Sequence, residues 1–183
     1  ILTNEGRIIK YPTSEINIIQ GGNTKGTKST ILNEKIKEYV MKLFIFDETN
    51  ETVLLGVSNN GRAKKTYTKN ITDKKRAQSP MLFFNNNEIN GKIVSGEVFK
   101  DEENEVLMIL TEKADVSLLK INKFNKVSRA AKGSVGLLNL GKNEKIKLTR
   151  VIELQQLSET QAQILVEAKR IEDDLINNEE FDE

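Results

Sequence analysis

The sequence predicts an all-β protein: a propeller-like array of about three repeated blades, followed by one C-terminal α-helix and an acidic tail. Three observations predict this fold class. A strand, turn and strand pattern recurs along the chain. The apolar runs are short and bounded by turn residues, as in residues 53–57, 81–84 and 106–110, which favours buried strands over helices. The chain ends in a stretch of different periodicity and charge.

The first repeated element is a hairpin. Residues 2–10 begin Leu-Thr-Asn-Glu-Gly-Arg, and residues 57–65 repeat them as Val-Ser-Asn-Asn-Gly-Arg, with Gly6 and Gly61 separated by 55 positions. A polar turn between two strand-like stretches is a β-hairpin signature. Each glycine supplies the positive φ that so tight a turn requires.

A third, less regular copy of this hairpin occupies residues 110–118 and lacks the glycine. There Asp115 or Ala114 must adopt the positive φ. The three copies divide the chain into predicted blades at about residues 1–50, 51–104 and 105–151.

Two further elements follow the hairpins in a constant order. The first is a Lys-Gly turn at residues 22–26 and 129–133, with Pro80 at the glycine position of the middle unit. The second is an Asn-x-Lys-Ile motif at residues 33–36, 90–93 and 143–146. An ordered recurrence of three elements indicates stacked units that bury their faces against one another.

Residues 152–183 differ from the blades. Ser158 and Gln161 fit a capping box, and the apolar residues after them follow a helical spacing: Ile164, Leu165, Ala168, Ile171 and Leu175. The sequence therefore predicts an amphipathic helix over residues 159–176 and an acidic tail from residue 177 to the end.

Composition excludes several chemistries. The chain has no cysteine, histidine or tryptophan, which excludes disulfides, a thiol nucleophile, the usual zinc sites and a histidine general base. We expect no catalytic residue, metal or cofactor in this chain, and Tyr11, Tyr39 and Tyr67 are interpreted as strand or interface aromatics. The absence of cysteine fits a cytoplasmic protein. No apolar run approaches the roughly 18 residues of a membrane span, and an opening inside a strand-like segment predicts a fragment.

Charge is distributed unevenly. Residues 1–151 carry 26 Lys and Arg against 17 Asp and Glu, whereas residues 152–183 carry 2 against 10. A basic body with an acidic end indicates a surface for a polyanion and a segment able to compete for it. A plain solvated surface with a solubilising tail is the alternative. Under the first interpretation, deleting residues 172–183 tightens binding of the polyanion at low salt.

The Leu-Thr-Asn-x-Gly-Arg hairpin, the basic strand after it and the Lys-Gly turn, best preserved at residues 126–138, resemble blades of the C-terminal domain of gyrase and topoisomerase IV A subunits. The resemblance covers residues 1–151. It implies a β-pinwheel whose basic rim bends or wraps double-stranded DNA near the nucleoid. It also implies that the catalytic tyrosine lies elsewhere in the A subunit, that the ATPase is the B subunit, and that the parent is an ATP-dependent type II topoisomerase.

Gyrases of this family carry a Q-R-R-G-G-K-G box that is associated with chiral wrapping. Residues 20–26 read Gln-Gly-Gly-Asn-Thr-Lys-Gly, so the first, sixth and seventh positions agree while both arginines are absent. The resemblance therefore favours a topoisomerase IV-like domain over a gyrase.

Cations that recur at matching positions of successive blades are the candidate DNA contacts. Wrapping requires phosphate contacts along a curved path and no base readout. We expect these side chains to project outward after their turns: Arg7, Lys10, Lys25, Lys28, Arg62, Lys64, Lys65, Lys74, Lys75, Arg76, Lys126, Arg129 and Lys132.

Two other functions are open at this stage. A β-repeat module could bind a protein and carry a basic rim without wrapping DNA. A carboxylate-based hydrolase would require acids that converge in a cleft, whereas the acids of this sequence cluster in turns and in the tail.

Overall fold

A computed structural model describes residues 1–49, 51–101, 105–124, 126–129, 135–136, 140 and 144–153. In these residues the chain forms only β-strands and short 3-10 turns, which confirms the all-β class. The predicted helix over residues 159–176 and the acidic tail lie outside the described residues. The strands are β1 Leu2–Thr3, β2 Arg7–Ile8, β3 Val40–Lys42, β4 Thr52–Ser58, β5 Arg62–Tyr67, β6 Met81–Leu82, β7 Ile93–Lys100, β8 Glu105–Thr111, β9 Val116–Lys120, β10 Val135–Gly136 and β11 Ile146–Glu153.

These strands form three antiparallel sheets. The first sheet has the order β3-β1-β2-β6, the second β10-β5-β4-β7, and the third β11-β8-β9. Each sheet is built around one hairpin of the repeat, namely β1-β2, β4-β5 or β8-β9. The strand that arrives last in each unit, β3, β7 or β11, returns to pair with the first strand of its own hairpin.

The short strands β6 and β10 join the sheet of the preceding unit. In β6, Met81 is opposite Ile8 of β2. In β10, Val135 is opposite Ala63 of β5. Each of the first two sheets is therefore completed by a strand that lies beyond the next hairpin in sequence. The predicted blade boundaries remain predictions, and β6 crosses them: it lies in the second predicted blade but belongs to the first sheet.

The three hairpin turns share one geometry. Gly6 and Gly61 have φ values of 67° and 73°, and Ala114 takes the same position in the third turn with φ 71°. A hydroxyl at the end of each first strand accepts a backbone N–H bond across the turn, as from Arg62 to the Ser58 Oγ at 3.2 Å. The same bond forms from Arg7 to Thr3 and from Asp115 to Thr111. The repeat predicted from sequence therefore has a common backbone, and Ala114 is the residue that replaces the glycine.

Replacing Ala114 with glycine is expected to raise the free energy of unfolding by about 1 kcal/mol, because a Cβ in the left-handed region costs roughly 1–2 kcal/mol. Urea denaturation measures the change. The matched control is Ala63→Gly, at a buried strand position of β5, where glycine weakens a strand and stability is expected to fall. A loss of stability in Ala114→Gly equal to that in Ala63→Gly would contradict this explanation.

One repeated element is aligned differently from the sequence-based expectation. Asn4 and Asn59 accept bonds from the backbone N–H of Tyr39 and Lys92 at 2.7 and 2.9 Å, so β3 and β7 begin at equivalent points. Residues 33–36 precede β3 and form a 3-10 turn over Glu34–Ile36, capped by Asn33. Their equivalence to residues 90–93 and 143–146 is therefore wrong, because Tyr39 and Lys92 take the same position and residues 37–40 thus match residues 90–93.

The core lies between consecutive sheets. One cluster joins the first and second sheets: Leu2, Ile8, Leu54, Ile71, Phe83, Phe84 and Ile93. A second cluster joins the second and third: Leu55, Val57, Ala63, Leu107, Ile109, Ile121 and Ile146. The middle sheet is thus buried on both faces, and every residue of β4 is buried. This stacking decides which of the candidate cations can reach solvent.

Candidate nucleic-acid interface

Lys65 lies inside the molecule and does not project outward as expected. It is 2% exposed, and its Nζ lies 2.9 Å from the Asp101 carboxylate while also donating to the Ile121 carbonyl at 3.0 Å. Its strand, β5, lies in the middle sheet between two neighbours. An unpaired ammonium at this depth would cost several kcal/mol, so the ion pair with Asp101 is what allows a lysine here.

Lys10 takes the equivalent place in the first hairpin. Its side chain is 13% exposed and its Nζ pairs with Glu48 at 2.6 Å and Asp73 at 3.2 Å. It also donates to the Thr68 carbonyl at 3.1 Å. Both lysines therefore bind an acid in the loop that follows the returning strand and a carbonyl of the next 3-10 turn, which fixes each unit to the one that follows.

Lys64 is also buried, at 4% exposure, and also departs from the expected outward position. Its Nζ donates to the carbonyls of Phe83 at 2.8 Å and Arg129 at 2.7 Å, and lies 5.4 Å from the centre of the Phe83 ring. Burial, and secondarily the positive charge of Arg129, lower the pKa of Lys64 to about 8 from its ordinary 10.5.

This lowered pKa predicts a pH dependence. Between about pH 8 and pH 10.5 the unfolded chain holds a proton on Lys64 that the folded chain has released, so the stability contributed at this position rises with pH. Relative to Lys64→Met, the wild-type free energy of unfolding is expected to rise by about 1–2 kcal/mol from pH 8 to pH 10. Urea denaturation across this range measures it, and parallel pH profiles of the two proteins would refute it.

Arg7 is the fourth candidate that the structure places in an internal contact. Its guanidinium pairs with Glu38 at 2.9 Å and donates to the Pro80 carbonyl at 2.8 Å. Glu38 is 6% exposed and also accepts from the Thr3 hydroxyl at 2.7 Å. Arg7 therefore links the first hairpin to the segment that leads into β6 and does not project freely from the surface.

The accessible candidates lie on two equivalent segments, residues 73–76 and 126–129, and on the loop of residues 25–28. Asp73 forms an isolated parallel β-bridge with Lys10 through the backbone, and Lys126 forms the same kind of β-bridge with Lys65. The two segments therefore run alongside successive sheets. We call this surface the basic edge; its members are Lys25, Lys28, Lys74, Lys75, Arg76, Lys126 and Arg129.

Two arginines hold equivalent positions on the basic edge. The Nη1 of Arg76 donates to the Lys28 carbonyl at 2.5 Å and its Nε to the Glu15 carbonyl at 3.0 Å. The Nη1 of Arg129 donates to the Leu82 carbonyl at 2.7 Å. Since a guanidinium has five N–H donors in a planar fork, these bonds orient both side chains and leave donor capacity for an anion.

The lysines of the basic edge differ in accessibility. Lys25, Lys28 and Lys75 are exposed, and Lys74 is half-buried with its Nζ 2.7 Å from the Ser79 carbonyl. The Nζ of Lys126 lies 2.6 Å from Asp101 and 4.7 Å from the centre of the Tyr67 ring. The hydrogen bond to Asp101, followed by the one to Tyr67, raises the pKa of Lys126.

The two remaining candidates are Arg62 and Lys132. Arg62 is half-buried on β5. Lys132 lies outside the described residues.

The acids that hold the internal lysines were not identified from sequence. The loops around Glu48 and Asp101 read as acidic turns without a role. Their spacing of 53 residues, close to the 55 that separates Lys10 from Lys65, is the signal that could have found them. Within the described ranges no three potential metal-ligating side chains come together. Those same ranges contain no helix of the length and apolarity that a bilayer crossing requires.

Small antiparallel sheets that repeat along the chain, stack face to face and exchange short edge strands define an all-β pinwheel domain. The chain covers half of a solved C-terminal domain of DNA topoisomerase IV with a TM-score of 0.71 over 91% of its own length, at 19% identity. It covers 49% of a solved DNA gyrase A C-terminal domain with a TM-score of 0.63 over 82% of its length, at 18% identity.

Sequence similarity points to the same group. The chain is 32% identical to the A subunit of DNA gyrase from two Helicobacter pylori strains, over 135 and 140 residues. These matches include 73% and 76% of the chain but span only 16% of the length of each relative. No family model matches the chain. The expected resemblance to the C-terminal domain of a type IIA topoisomerase A subunit is confirmed.

Proposed function

We propose that the basic edge is a DNA surface and that this chain is a double-stranded DNA-binding domain of a type II topoisomerase A subunit. The observation that carries the proposal is the recurrence of an arginine, Arg76 and then Arg129, at equivalent positions of two segments that run alongside successive sheets. Arg76 and Arg129 are each oriented by a main-chain carbonyl. Contacts repeated at a regular interval along stacked units follow a phosphate backbone without reading bases.

The basic edge bends DNA through charge contacts made at several points at once. A smooth bend of roughly 40–90° over a short site costs on the order of 1–6 kcal/mol. Seven cations distributed over the basic edge can offset this cost, because each neutralised phosphate releases counterions. No side chain in this mechanism performs covalent chemistry. The ATPase activity of a topoisomerase would belong to the B subunit, whereas DNA cleavage would belong to the rest of the A subunit.

Binding of the full chain to a duplex of mixed sequence in a salt series tests the proposal. With six to seven phosphate contacts the association constant is expected to fall about 10³-fold between about 50 and 200 mM salt. Bending or wrapping is measured separately, from the change in linking number of a closed circle treated with a nicking-closing enzyme. A salt-independent affinity, or no binding at low salt, would refute the proposal.

The finer assignment concerns the kind of topoisomerase. We infer a topoisomerase IV-like domain, because both arginines of the gyrase box are replaced by glycine in residues 20–26, a loop in which every residue is exposed. A domain of this kind is expected to bend DNA without fixing the hand of the wrap. A linking-number change of constant sign with increasing protein would favour the gyrase alternative. The location that follows from this function is the cytoplasm, on the nucleoid.

A protein-binding module is the second candidate function. Large aliphatic side chains are exposed on the first unit, with Ile18 at 93% and Ile45 at 79%, and such a surface suits a protein partner. The salt series separates the two functions. A DNA surface predicts an affinity for DNA that falls steeply with salt, whereas an apolar protein interface predicts no such fall.

A further inference from the structure

An acid and a lysine hold the same position on the two segments of the basic edge. Asp73 forms its β-bridge with Lys10, and Lys126 forms its β-bridge with Lys65. In each segment the next backbone N–H donates to the carbonyl of that same lysine, at 2.8 and 2.9 Å. The two segments therefore align residue for residue, and the charge at their first position is reversed from one unit to the next.

Both side chains at this position reach the lysine and acid pair of their own unit. The Asp73 carboxylate lies 3.2 Å from the Lys10 Nζ, which also binds Glu48 at 2.6 Å. The Lys126 Nζ lies 2.6 Å from Asp101, whose carboxylate also binds the buried lysine of the second unit. The first cluster thus holds two acids around one lysine and has a formal charge of −1, whereas the second holds two lysines around one acid and has a formal charge of +1.

The reversed charge is accessible to solvent in both units. The side chain of Asp73 is 63% exposed and that of Glu48 is 40% exposed. In the second unit the Lys126 side chain is 31% exposed, while its acid, Asp101, is only 7% exposed. A phosphate that approaches the first cluster therefore meets two carboxylates, whereas one that approaches the second cluster meets an ammonium.

The total charge of the two segments is the same, so only its placement differs. Residues 73–76 read Asp-Lys-Lys-Arg, and residues 126–129 read Lys-Val-Ser-Arg. One acid with three cations and two cations alone both give a net charge of +2. In the first segment every cation follows the acid, whereas in the second the cations stand at both ends. The difference between the units is therefore where along the segment an anion can be bound.

We propose that Asp73 is a specificity-determining residue of the basic edge, which excludes phosphate from the position where Lys126 admits it in the second unit. This inference rests on the proposed DNA function and adds that the duplex contacts the two units unequally. Like charges placed opposite each other disfavour one mode of binding and fix the register of the others. Exclusion at Asp73 therefore directs the phosphate backbone toward Lys75 and Arg76 in the first unit.

The second cluster shows that the opposite charge can be accommodated at this position. Asp73→Lys would give the first cluster two lysines around one acid, which is the arrangement of the second cluster. Lys10 would keep two of its partners, Glu48 at 2.6 Å and the Thr68 carbonyl at 3.1 Å. We therefore expect the variant to fold, and urea denaturation verifies it.

Fluorescence anisotropy of the full chain with a labelled duplex of mixed sequence, measured in a salt series, tests the proposal. Asp73→Lys is compared with Glu112→Lys, which makes the same change of charge at an exposed residue of the third hairpin turn, outside the basic edge. A second pair, Asp73→Asn and Glu112→Gln, removes each acid without adding a cation. This pair keeps the test decisive if the lysine variant is unstable.

We expect Asp73→Lys to add one phosphate contact, which raises the affinity about 5–10-fold at about 0.1 M salt and steepens the slope of log K against log salt by about 0.9. Asp73→Asn removes only the repulsion, so its affinity rises about threefold. Both Glu112 variants are expected to gain less than about twofold, because charges beyond a Debye length are screened.

Gains at position 73 no larger than those at position 112 would overturn the proposal. A steep salt dependence of the wild type in the same series would then leave the DNA function intact. A wild type that does not bind the duplex at low salt would overturn both.

Discussion

Replacing Asp101 with asparagine is expected to lower the free energy of unfolding by about 3–5 kcal/mol, because removal of one partner of a buried ion pair leaves the other charge uncompensated. The Asp101 carboxylate is 7% exposed and binds Lys65, whose side chain is 1% exposed. It also holds Lys126 at 2.6 Å. The substitution thus strands one fully buried ammonium and releases a second. Urea denaturation at neutral pH measures the loss.

The repeat provides a matched control for this prediction. Glu48→Gln removes the equivalent acid in the first unit, where the carboxylate is 40% exposed and Lys10 retains Asp73 as a second partner. Solvent-exposed pairs contribute about 0–1 kcal/mol, so this variant is expected to lose no more than that. If both variants lose the same stability, burial of the Lys65–Asp101 pair is not the cause.

Neutralising the exposed lysines of the basic edge is expected to have the largest effect on DNA binding. In the triple variant Lys25→Gln, Lys28→Gln and Lys75→Gln, the loss of three phosphate contacts reduces the slope of log K against log salt by about 2.7. At about 0.1 M salt the affinity falls about 10²–10³-fold for the same reason. Fluorescence anisotropy with a labelled duplex measures both quantities. The fold is expected to remain intact, since none of the three side chains is buried.

A second triple variant removes the same charge elsewhere on the molecule. Lys100, Lys113 and Lys147 are exposed and lie outside the basic edge, so their replacement by glutamine is expected to leave most of the affinity and most of the salt slope. A similar loss in both triple variants would show that net charge, and not the basic edge, determines binding.

The hairpins could be predicted from sequence because their signals are local. Gly6 and Gly61 mark turns with fixed backbone requirements, and apolar runs such as residues 106–110 have the length of buried strands. These patterns specify the fold class and the number of repeats without knowledge of tertiary contacts. Even the weak third copy is recognisable, because a single residue, Ala114, takes over the role of the glycine.

The strand exchange could not be predicted in this way. β6 and β10 have two residues each, which is too short for any periodicity. Their partners, β2 and β5, lie about 70 residues earlier in the chain. Which sheet such a segment joins is decided by packing between units, and a sequence pattern within one unit contains no information about it.

Accessibility of the candidate site was the other quantity that sequence did not determine. Lys64 and Lys65 form a basic dipeptide in a strand that follows a polar turn, which is the usual appearance of a solvated strand. The strand lies in the middle sheet, however, so the side chains on both of its faces are buried. One lysine is then satisfied by carbonyls and the other by an acid 36 residues away.

The completion of each sheet by a later segment has a consequence for biosynthesis. The first sheet cannot acquire its fourth strand until residue 82 has been made, and the second must wait for residue 136. Assembly during translation therefore lags one repeat behind elongation, and a nascent chain always displays one unfinished sheet. The unpaired edge of that sheet can pair with other strands. Each sheet is therefore protected only once the next repeat has been synthesised.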